Sequence, residues 1–439
     1  MMCVSRTRRK AGRGPRDRNP MIVHDTLPNG VRLVTETMPH VRSVSLGVWL
    51  ARGSRHEVPE QGGIAHFIEH MLFKGTARRT AQDIAQQFDS MGGNLDAFTS
   101  KEYAGYYIKV MDEHLPRAFD ILSDLVLHPA FPLDEIEREK KVILEEIKMV
   151  EDTPDDLVHE LFTEQYWPDH PLGRPILGTP DTVGSFTQDV LFRYFREAYV
   201  GRNLIVSAAG NFEHEQLKAL VEAAFGAVPD AGADWRETAP APRPPQIERH
   251  KDLEQSHIVV GTPAYAQAHV DRYPAYLLNV ILGGSMSSRL FQTIREQRGL
   301  AYAVFSGVSS YRDTGMLSVY AGCAAESVPE VVDLVIDGLR TMRREPVGDD
   351  ELRRAKDHLK GSLMLGLEST SSRMTHLARQ EMYFGRHVTL DEMITGIERT
   401  TADDVQRVAG ELFTQGTVGV TVLGPAGAAA LDFTRLAVA

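Results

Sequence analysis

The sequence predicts an α+β fold built as two homologous α/β-sandwich domains, each a mostly antiparallel sheet covered by helices. Three observations lead to this prediction: a set of segments that occurs twice in the same order, short runs of alternating apolar residues, and an aperiodic segment between the two copies. An internal duplication explains all three. The predicted units are a leader over 1–20, a first domain over 21–228, a linker over 229–247 and a second domain over 248–439.

The duplication is seen in three pairs of segments at nearly constant spacing. Each single match is weak, but three matches in the same order indicate one unit that occurs twice. In the last pair, a helix that follows a capping threonine leads into an alternating strand. The pairs are 65–75 with 275–285, 134–147 with 350–363, and 187–210 with 401–424.

Each copy also contains short runs in which every second residue is apolar. This pattern indicates antiparallel strands with one face covered by helices. Between the copies, the segment VPDAGADWRETAPAPRPPQ (228–246) is rich in Pro and Ala and has no periodicity, so we interpret it as the linker. The alternating runs are VSLGVWL (44–50), YYIKV (106–110), HIVVGT (257–262) and MLSVYA (316–321).

The composition excludes several classes of protein. The chain has 439 residues, and no apolar run approaches the roughly 18 residues needed to cross a bilayer. We therefore expect a cytoplasmic protein that does not bind membranes. The two cysteines, Cys3 and Cys323, are too few for a disulfide framework or a cysteine-rich zinc site. A metal in this chain would have to use histidines and carboxylates.

The formal net charge of −12 is unevenly distributed. The leader carries seven basic side chains and one acid, so the rest of the chain carries −18. This acidic body argues against nucleic-acid binding and favours cationic partners. The leader lacks the apolar stretch of a secretory signal. We interpret the leader as a disordered tail, or as the result of a translation start assigned too far upstream, with Met21 as the true first residue.

The segment GIAHFIEHMLFKGT (63–76) places ionisable side chains in an otherwise apolar helix. His66 and His70 lie one turn apart on the same face of the predicted helix, with Glu69 beside them. Neutral imidazoles at this spacing are good zinc ligands, and the glutamate is placed to move a proton. The alternative is a packed helix whose histidines are hydrogen-bonded in the core. The motif alone does not decide between the two.

A third ligand is expected from the helix predicted over 135–152, which is rich in carboxylates. Glu139 and Glu146 are seven residues apart and share a face with apolar residues, where a solvent-exposed carboxylate would be out of place. Glu145 points about 100° away and is the weaker candidate. In the alternative, these acids form a solvated face.

The second copy keeps both helices and loses their functional groups, so the helices pack adequately without them. This comparison weakens the interpretation of the two histidines as core residues. The counterparts of His66, Glu69 and His70 are, in this order, Tyr276, Asn279 and Val280. Those of Glu139 and Glu146 are Ala355 and Ser362.

These motifs resemble the pitrilysin or insulinase type of zinc peptidase, whose inverted H-x-x-E-H motif is followed by a distant glutamate. Within that family the chain is most similar to bacterial relatives of the mitochondrial processing peptidase β subunit. The resemblance extends from about Leu27 to the C-terminus. The motifs that carry it are GSRHE (53–57), GIAHFIEHMLFKGT, GGNLDAFTSKEY (92–103), EREKKVILEEI (137–147) and SSRLFQTIREQRGLAY (287–302).

The resemblance implies one Zn²⁺ per chain, held by His66, His70 and Glu146 in the first domain. It also implies that Glu69 is the catalytic base and that Glu139 is a catalytic-site carboxylate beside the ligands. Zinc with three protein ligands keeps a position for water and lowers the pKa of that water to about 7. Glu69 is expected to take its proton as the water attacks the scissile carbonyl.

The resemblance further implies that Arg295 and Tyr302, from the second domain, contact the substrate. From the residues alone we would expect an exposed helical arginine and a packed tyrosine. The substrate backbone is expected to pair with an edge strand within 94–100. The contacts expected there are Asp96, Ala97 and Phe98, where the family usually has asparagine at the first position.

The expected function is therefore that of a zinc metalloendopeptidase acting on extended peptides or processing segments, which could be basic. Family resemblance suggests a homodimer that encloses a chamber. One alternative is a non-catalytic core or regulatory subunit of a processing-peptidase-like complex. Another is a metal-binding or chaperone-like module that binds peptides without turnover, against which the intact Glu69 argues.

Overall fold

The computed structural model describes residues 21–231, 238–425 and 431–438, which form two sheets with helices packed on them. The predicted leader and residues 232–237 of the predicted linker lie outside the described residues. The domain boundaries therefore stay predictions. Within the described ranges, no helix is both long enough and apolar enough to cross a membrane.

The first sheet is formed by the N-terminal half of the chain. Its strands are β1 (Met21–Thr26), β2 (Arg32–Thr37), β3 (Ser43–Leu50), β4 (Asn94–Thr99), β5 (Ala104–Met111) and β6 (Leu204–Gly210). They lie in the order β1-β2-β6-β3-β5-β4, so β4 is an edge strand. Only β2 and β6 are parallel; the other neighbouring pairs in the described sheet are antiparallel.

The second sheet is formed by the C-terminal half. Its strands are β7 (Gln246–His250), β8 (Ser256–Ala264), β9 (Ala301–Ser310), β10 (Gly315–Cys323) and β11 (Gly419–Gly424). They lie in the order β7-β11-β8-β10-β9, which repeats the order from β2 to β4 in the first sheet. The parallel pair, β7 with β11, also occupies the equivalent place. The repeated order confirms the predicted duplication and the α+β fold.

In both halves, most of the helices form one run between two strands of the sheet. Those of the first half are α1 (Ile64–Leu72), α2 (Ala81–Asp89), α3 (Leu115–Leu127), α4 (Leu133–Asp152), α5 (Pro154–Tyr166), α6 (Pro180–Ser185), α7 (Gln188–Ala198) and α8 (His214–Phe225). Those of the second half are α9 (Arg272–Leu282), a π-helix (Phe291–Gln297), α10 (Val328–Arg344), α11 (Asp349–Gly366), α12 (Thr370–Phe384), α13 (Leu390–Arg399) and α14 (Ala402–Leu412).

Each sheet is covered on both faces, so the prediction of a single covered face is wrong. One face packs on helices of its own half, and the other on a helix from the opposite half: α12 covers the first sheet, and α5 covers the second. A glycine on β3 and another on β8 make room for these helices. A Cβ on Gly47 would lie 2.7 Å from Met374 Sδ, and one on Gly261 would lie 2.4 Å from the ring of Phe162. Both β3 and β8 are therefore buried along most of their length.

A buried ionic cluster also joins the two halves. Arg55 donates to Glu102 (2.6 Å) and to Asp313 (2.6 Å), and the Tyr383 hydroxyl donates to the other oxygen of Glu102 (2.8 Å). Glu102 lies in the turn between β4 and β5. Because a buried charge is costly unless it is paired, this cluster fixes the end of β4 against the second half.

Candidate metal centre

Helix α1 begins at a left-handed glycine and is capped by a buried glutamate. Gly63 has φ 92°, and a Cβ at this position would lie 2.5 Å from the carbonyl oxygen of Leu177. The carboxylate of Glu57 accepts hydrogen bonds from the backbone N–H groups of Gly63 and Ala65, both at 2.8 Å. A carboxylate at a helix N-terminus satisfies donors that otherwise have no partner within the helix. The start of α1, and with it the direction of its polar face, is thereby fixed.

The apolar side chains of α1 are buried, whereas His66, Glu69 and His70 are partly exposed on the face that turns toward α4. One turn separates the two imidazoles, whose ring centroids lie 4.6 Å apart. Glu146 of α4 faces both: its carboxylate oxygens lie 3.7 Å from His66 Nε2 and 3.7 Å from His70 Nε2. One ligand atom from each of these three residues lies within 4.8 Å of the others.

Glu139 lies behind the cluster, about two turns before Glu146 on α4. Its Oε2 lies 2.9 Å from His70 Nδ1, and its Oε1 accepts from the ammonium of Lys74 (2.6 Å). Burial alone would raise the pKa of Glu139, but the hydrogen bonds from Lys74 and His70 outweigh it and leave the pKa below its usual value. An ionised Glu139 orients the imidazole through Nδ1, which leaves Nε2 directed at Glu146.

Glu69 lies on the same helix but bonds in a different direction. Its Oε2 accepts a hydrogen bond from the hydroxyl of Thr99, at the end of β4. Burial raises the pKa of Glu69, and the bond from Thr99 and the nearby His70 act against this rise. A glutamate with a raised pKa is a better proton acceptor than an exposed one at neutral pH. This carboxylate is placed for proton transfer beside the ligand set.

The chemistry of the donor set fits zinc. Burial, and then the neighbouring His70, lower the pKa of His66 to about 4, so its imidazole is neutral at physiological pH and has a lone pair to share. Two imidazoles and one carboxylate on two helices are typical of a catalytic zinc site with an open position. Nδ1 of His66 is buried, and no hydrogen-bond partner is found for it among the described residues.

The structure distinguishes Glu145 from Glu146, the two neighbouring glutamates of α4, as candidate ligands. Glu145 pairs with Lys148 (2.7 Å), and its side chain is 72% exposed. Glu146 is 34% exposed and is the one that faces the histidines. The difference follows from the helical rotation of about 100° between adjacent residues.

Two family models together match most of the chain. Residues 32–180 match the model described as "Insulinase (Peptidase family M16)", and residues 185–359 match "Peptidase M16 inactive domain". The chain belongs to the insulinase (M16) family of peptidases. The predicted resemblance is thus confirmed, and every residue of the candidate metal centre lies in the first of the two matched ranges.

Curated M16 relatives align with nearly the whole chain. An uncharacterised zinc protease of Bacillus subtilis is 44% identical over 93% of this chain and 99% of its own length. One of Streptomyces coelicolor is 41% identical over 91% of this chain and 89% of its own length.

Solved structures share the fold at low sequence identity. A structure described as a peptidase M16 inactive domain from Pseudomonas fluorescens has a TM-score of 0.87 at 21% identity, covering 93% of this chain and 99% of that one. A protease from Helicobacter pylori has a TM-score of 0.84 at 23% identity, covering 92% of this chain and 100% of that one. At these identities the likeness shows the fold alone.

Two predicted substrate contacts lie in the half that lacks the metal ligands. Arg295 is in the π-helix and Tyr302 is on β9. The guanidinium carbon of Arg295 lies 4.8 Å from the ring centroid of Tyr302 and 4.8 Å from that of Phe291. Tyr302 is 80% exposed, so the alternative of a packed tyrosine is wrong. In the described part of the chain, no hydrogen bond or ion pair joins either residue to the metal centre.

The predicted substrate strand is β4, at the free edge of the first sheet, next to α1. Asp96 accepts hydrogen bonds from the Tyr107 hydroxyl (3.0 Å) and from the backbone N–H of Ala97 (2.8 Å). Phe98 packs edge-on against Trp49, with ring centroids 5.8 Å apart. Ala97 packs toward the core side of the sheet. The three predicted contacts are therefore adjacent on the edge strand, and Thr99 connects that strand to Glu69.

Three residues of the site are absent from the sequence prediction. Glu57 caps α1, Lys74 pairs with Glu139, and Thr99 bonds to Glu69. Glu57 and Thr99 lie inside motifs that carry the family resemblance, so a polar residue within those motifs was the available signal. Lys74 also lies inside such a motif, 63–76, where it follows α1 as a single lysine without distinctive spacing.

Arg295→Ala and Tyr302→Phe are expected to lower kcat by at least about tenfold each, without loss of zinc or of folding. Tyr302 is exposed and Arg295 is partly exposed. Both are donors that could stabilise negative charge on a peptide carbonyl, and losing one such donor costs about 10²–10³ in rate at well-characterised sites. Steady-state kinetics, metal analysis and thermal melting provide the measurements. Wild-type rates in both variants would leave the second half with a scaffolding role only.

Proposed function

We propose that this chain is a zinc-dependent endopeptidase that hydrolyses peptide bonds in extended peptides or processing segments. The observation that carries the proposal is the convergence of His66, His70 and Glu146, with Glu69 beside them on the same helix. The zinc-protease names of the relatives at 41–44% identity support it. A silent subunit or a binding module would have no need of a partly buried carboxylate placed for proton transfer.

In this proposal His66, His70 and Glu146 hold the metal. Zinc, when bound, supplies a Lewis acid that polarises the scissile carbonyl and makes water more acidic. Glu69 takes the proton of the attacking water and then gives it to the leaving amine. Thr99 keeps one oxygen of Glu69 occupied, so the other oxygen is available for this proton. Glu139 and Lys74 keep His70 in its orientation.

The substrate would add an extended strand to the free edge of β4. Main-chain hydrogen bonds to a sheet edge select for extended shape, and pockets for alternate side chains give specificity. Because Thr99 ends β4 and bonds to Glu69, a peptide on this edge would run past the catalytic carboxylate. The proposed selection is thus for conformation first and for side chains second.

A peptide-cleavage assay with and without a chelator tests the proposal. A purified full-length chain should cleave extended peptides, lose this activity with chelator and regain it when zinc is restored. Mass spectrometry of the products from a peptide library identifies the bonds that are cut. Binding of zinc and peptide without cleavage would favour a binding module. Absence of both binding and cleavage would favour a non-catalytic subunit. Homodimerisation and cytoplasmic location stay predictions of the sequence.

We further propose a preference for basic peptides, because the chain outside the leader carries −18 and Asp96 lies on the proposed substrate strand. At low salt, a peptide with Arg or Lys beside the cleaved bond is expected to have a higher kcat/KM than its acidic counterpart. The advantage should shrink as salt screens the charges. Equal kcat/KM for the two peptides at low salt would contradict the preference.

A further inference from the structure

A cavity of about 570 Å³ lies between the two halves, away from the metal centre. Phe98 of β4 and Tyr107 of β5 form its wall on the side of the first sheet, and residues of α9, α11 and α12 form most of the rest. This volume is within the range of about 300–1,000 Å³ typical of small-ligand sites. Because Phe98 lies on β4, the cavity is in contact with the proposed substrate strand.

The cavity contains the second copy's counterparts of two metal ligands. Tyr276 stands where the first half has His66, and Ser362 stands where it has Glu146; both line the cavity. Val280, the counterpart of His70, is buried. The position in the second copy that corresponds to the metal centre is therefore open to the cavity. It carries a phenol and a hydroxyl instead of metal ligands.

Two arginines line the same cavity. Arg272 lies against the rings of Tyr273 and Phe384, with distances of 4.5 Å and 5.2 Å from the guanidinium carbon to the ring centroids. Arg379 lies on α12. In the ranges that the structure describes, neither arginine forms an ion pair with a carboxylate. Arg272 donates to the carbonyl of His269 (3.2 Å) and to the hydroxyl of Tyr273 (3.1 Å), so an anion would bind its remaining N–H groups without first breaking an ion pair.

The phenol of Tyr276 lies close to both positive charges. Burial raises its pKa, and the charges of Arg272 and Arg379 act in the opposite direction. The phenol therefore stays protonated and can donate a hydrogen bond. Further hydroxyl donors around the cavity are Ser371, Ser372 and Thr375.

We propose that this cavity binds the C-terminal carboxylate of a peptide, with Arg272 and Arg379 as the charged donors and Tyr276 as a hydroxyl donor. The aromatic walls fit the side chain of the terminal residue, as is typical of pockets that combine apolar surface with a few convergent polar groups. The identity of the ligand as a peptide rests on the proposed function, because Phe98 lies on the strand that would hold the substrate. The binding of a carboxylate in the cavity does not depend on the proposed function.

The test compares N-acetyl-L-phenylalanine with its amide, N-acetyl-L-phenylalaninamide, by calorimetric titration of the full-length wild-type protein. The acid is expected to bind at least about tenfold more tightly than the amide at low salt, since hydrogen bonds to charged groups are the stronger ones. Arg379→Gln should remove most of this difference. Arg353→Gln is the matched control, because Arg353 is an exposed arginine on α11 that pairs with Asp350 (2.8 Å).

Several outcomes would overturn the assignment. These are equal binding of acid and amide, an unchanged affinity in Arg379→Gln, or tighter binding of inorganic phosphate than of the acid. Thermal melting of both variants shows that they fold. Because the readout is binding, a chain without any hydrolytic activity would contradict the proposed function and leave this result unchanged.

Discussion

Replacing Glu69 by glutamine is expected to lower kcat by about 10²–10⁴-fold, the usual contribution of a positioned general base. Glutamine keeps the shape of the side chain and can still accept the hydrogen bond from Thr99. It cannot take a proton from water at neutral pH. Zinc content should be unchanged, because the three proposed ligands are other residues.

Metal analysis and steady-state kinetics on the same preparation separate the two effects. Glu137→Gln is a suitable control, because Glu137 is also a helical glutamate but is 68% exposed and pairs only with Lys140 in the described structure. This control should retain wild-type kcat. Hydrolysis at the wild-type rate by Glu69→Gln would show that another group moves the proton. Loss of zinc from that variant would show that Glu69 holds the metal.

The repetition of one α+β unit in both halves could be predicted in outline, because a duplication leaves a collinear record in the sequence. The burial of both sheet faces could not. The contact between Gly47 and Met374 joins residues more than 300 positions apart, and such contacts leave no periodic pattern. Strands such as VSLGVWL are also compatible with either one or two covered faces, because Ser45 and Gly47 stand beside Trp49 on the second face. Here a glycine on that second face indicates close helix packing rather than exposure.

The candidate metal centre was predictable for a different reason. Helical spacing places His66 and His70 on one face from sequence alone, and the second copy shows which groups the packing does not require. The residues that support the ligands have no such pattern. Glu57 lies in a 3₁₀ turn region before α1, and Thr99 ends a strand, so their roles depend on how separate segments pack.

Replacing Glu146 by glutamine is expected to weaken zinc binding by at least about a hundredfold. Loss of a residue that merely supports a ligand already costs about 10–100-fold in metal affinity, and Glu146 would supply the only charged ligand of the set. The structure places its carboxylate 3.7 Å from a nitrogen of each histidine. A neutral amide in that place is a poor ligand for zinc. Competition with a chelator of known affinity measures the change.

Glu145→Gln is the matched control, since it makes the same chemical change one position earlier in the same helix. Glu145 points into solvent and pairs with Lys148, and an exposed pair of this kind contributes little to stability. That variant should keep zinc affinity and hydrolysis. If Glu145→Gln lost zinc while Glu146→Gln kept it, the assignment of the face of α4 that contacts the metal would be wrong by one residue. Because one residue rotates a helix by about 100°, Glu139 would then no longer face His70, and its substitution would leave zinc affinity unchanged.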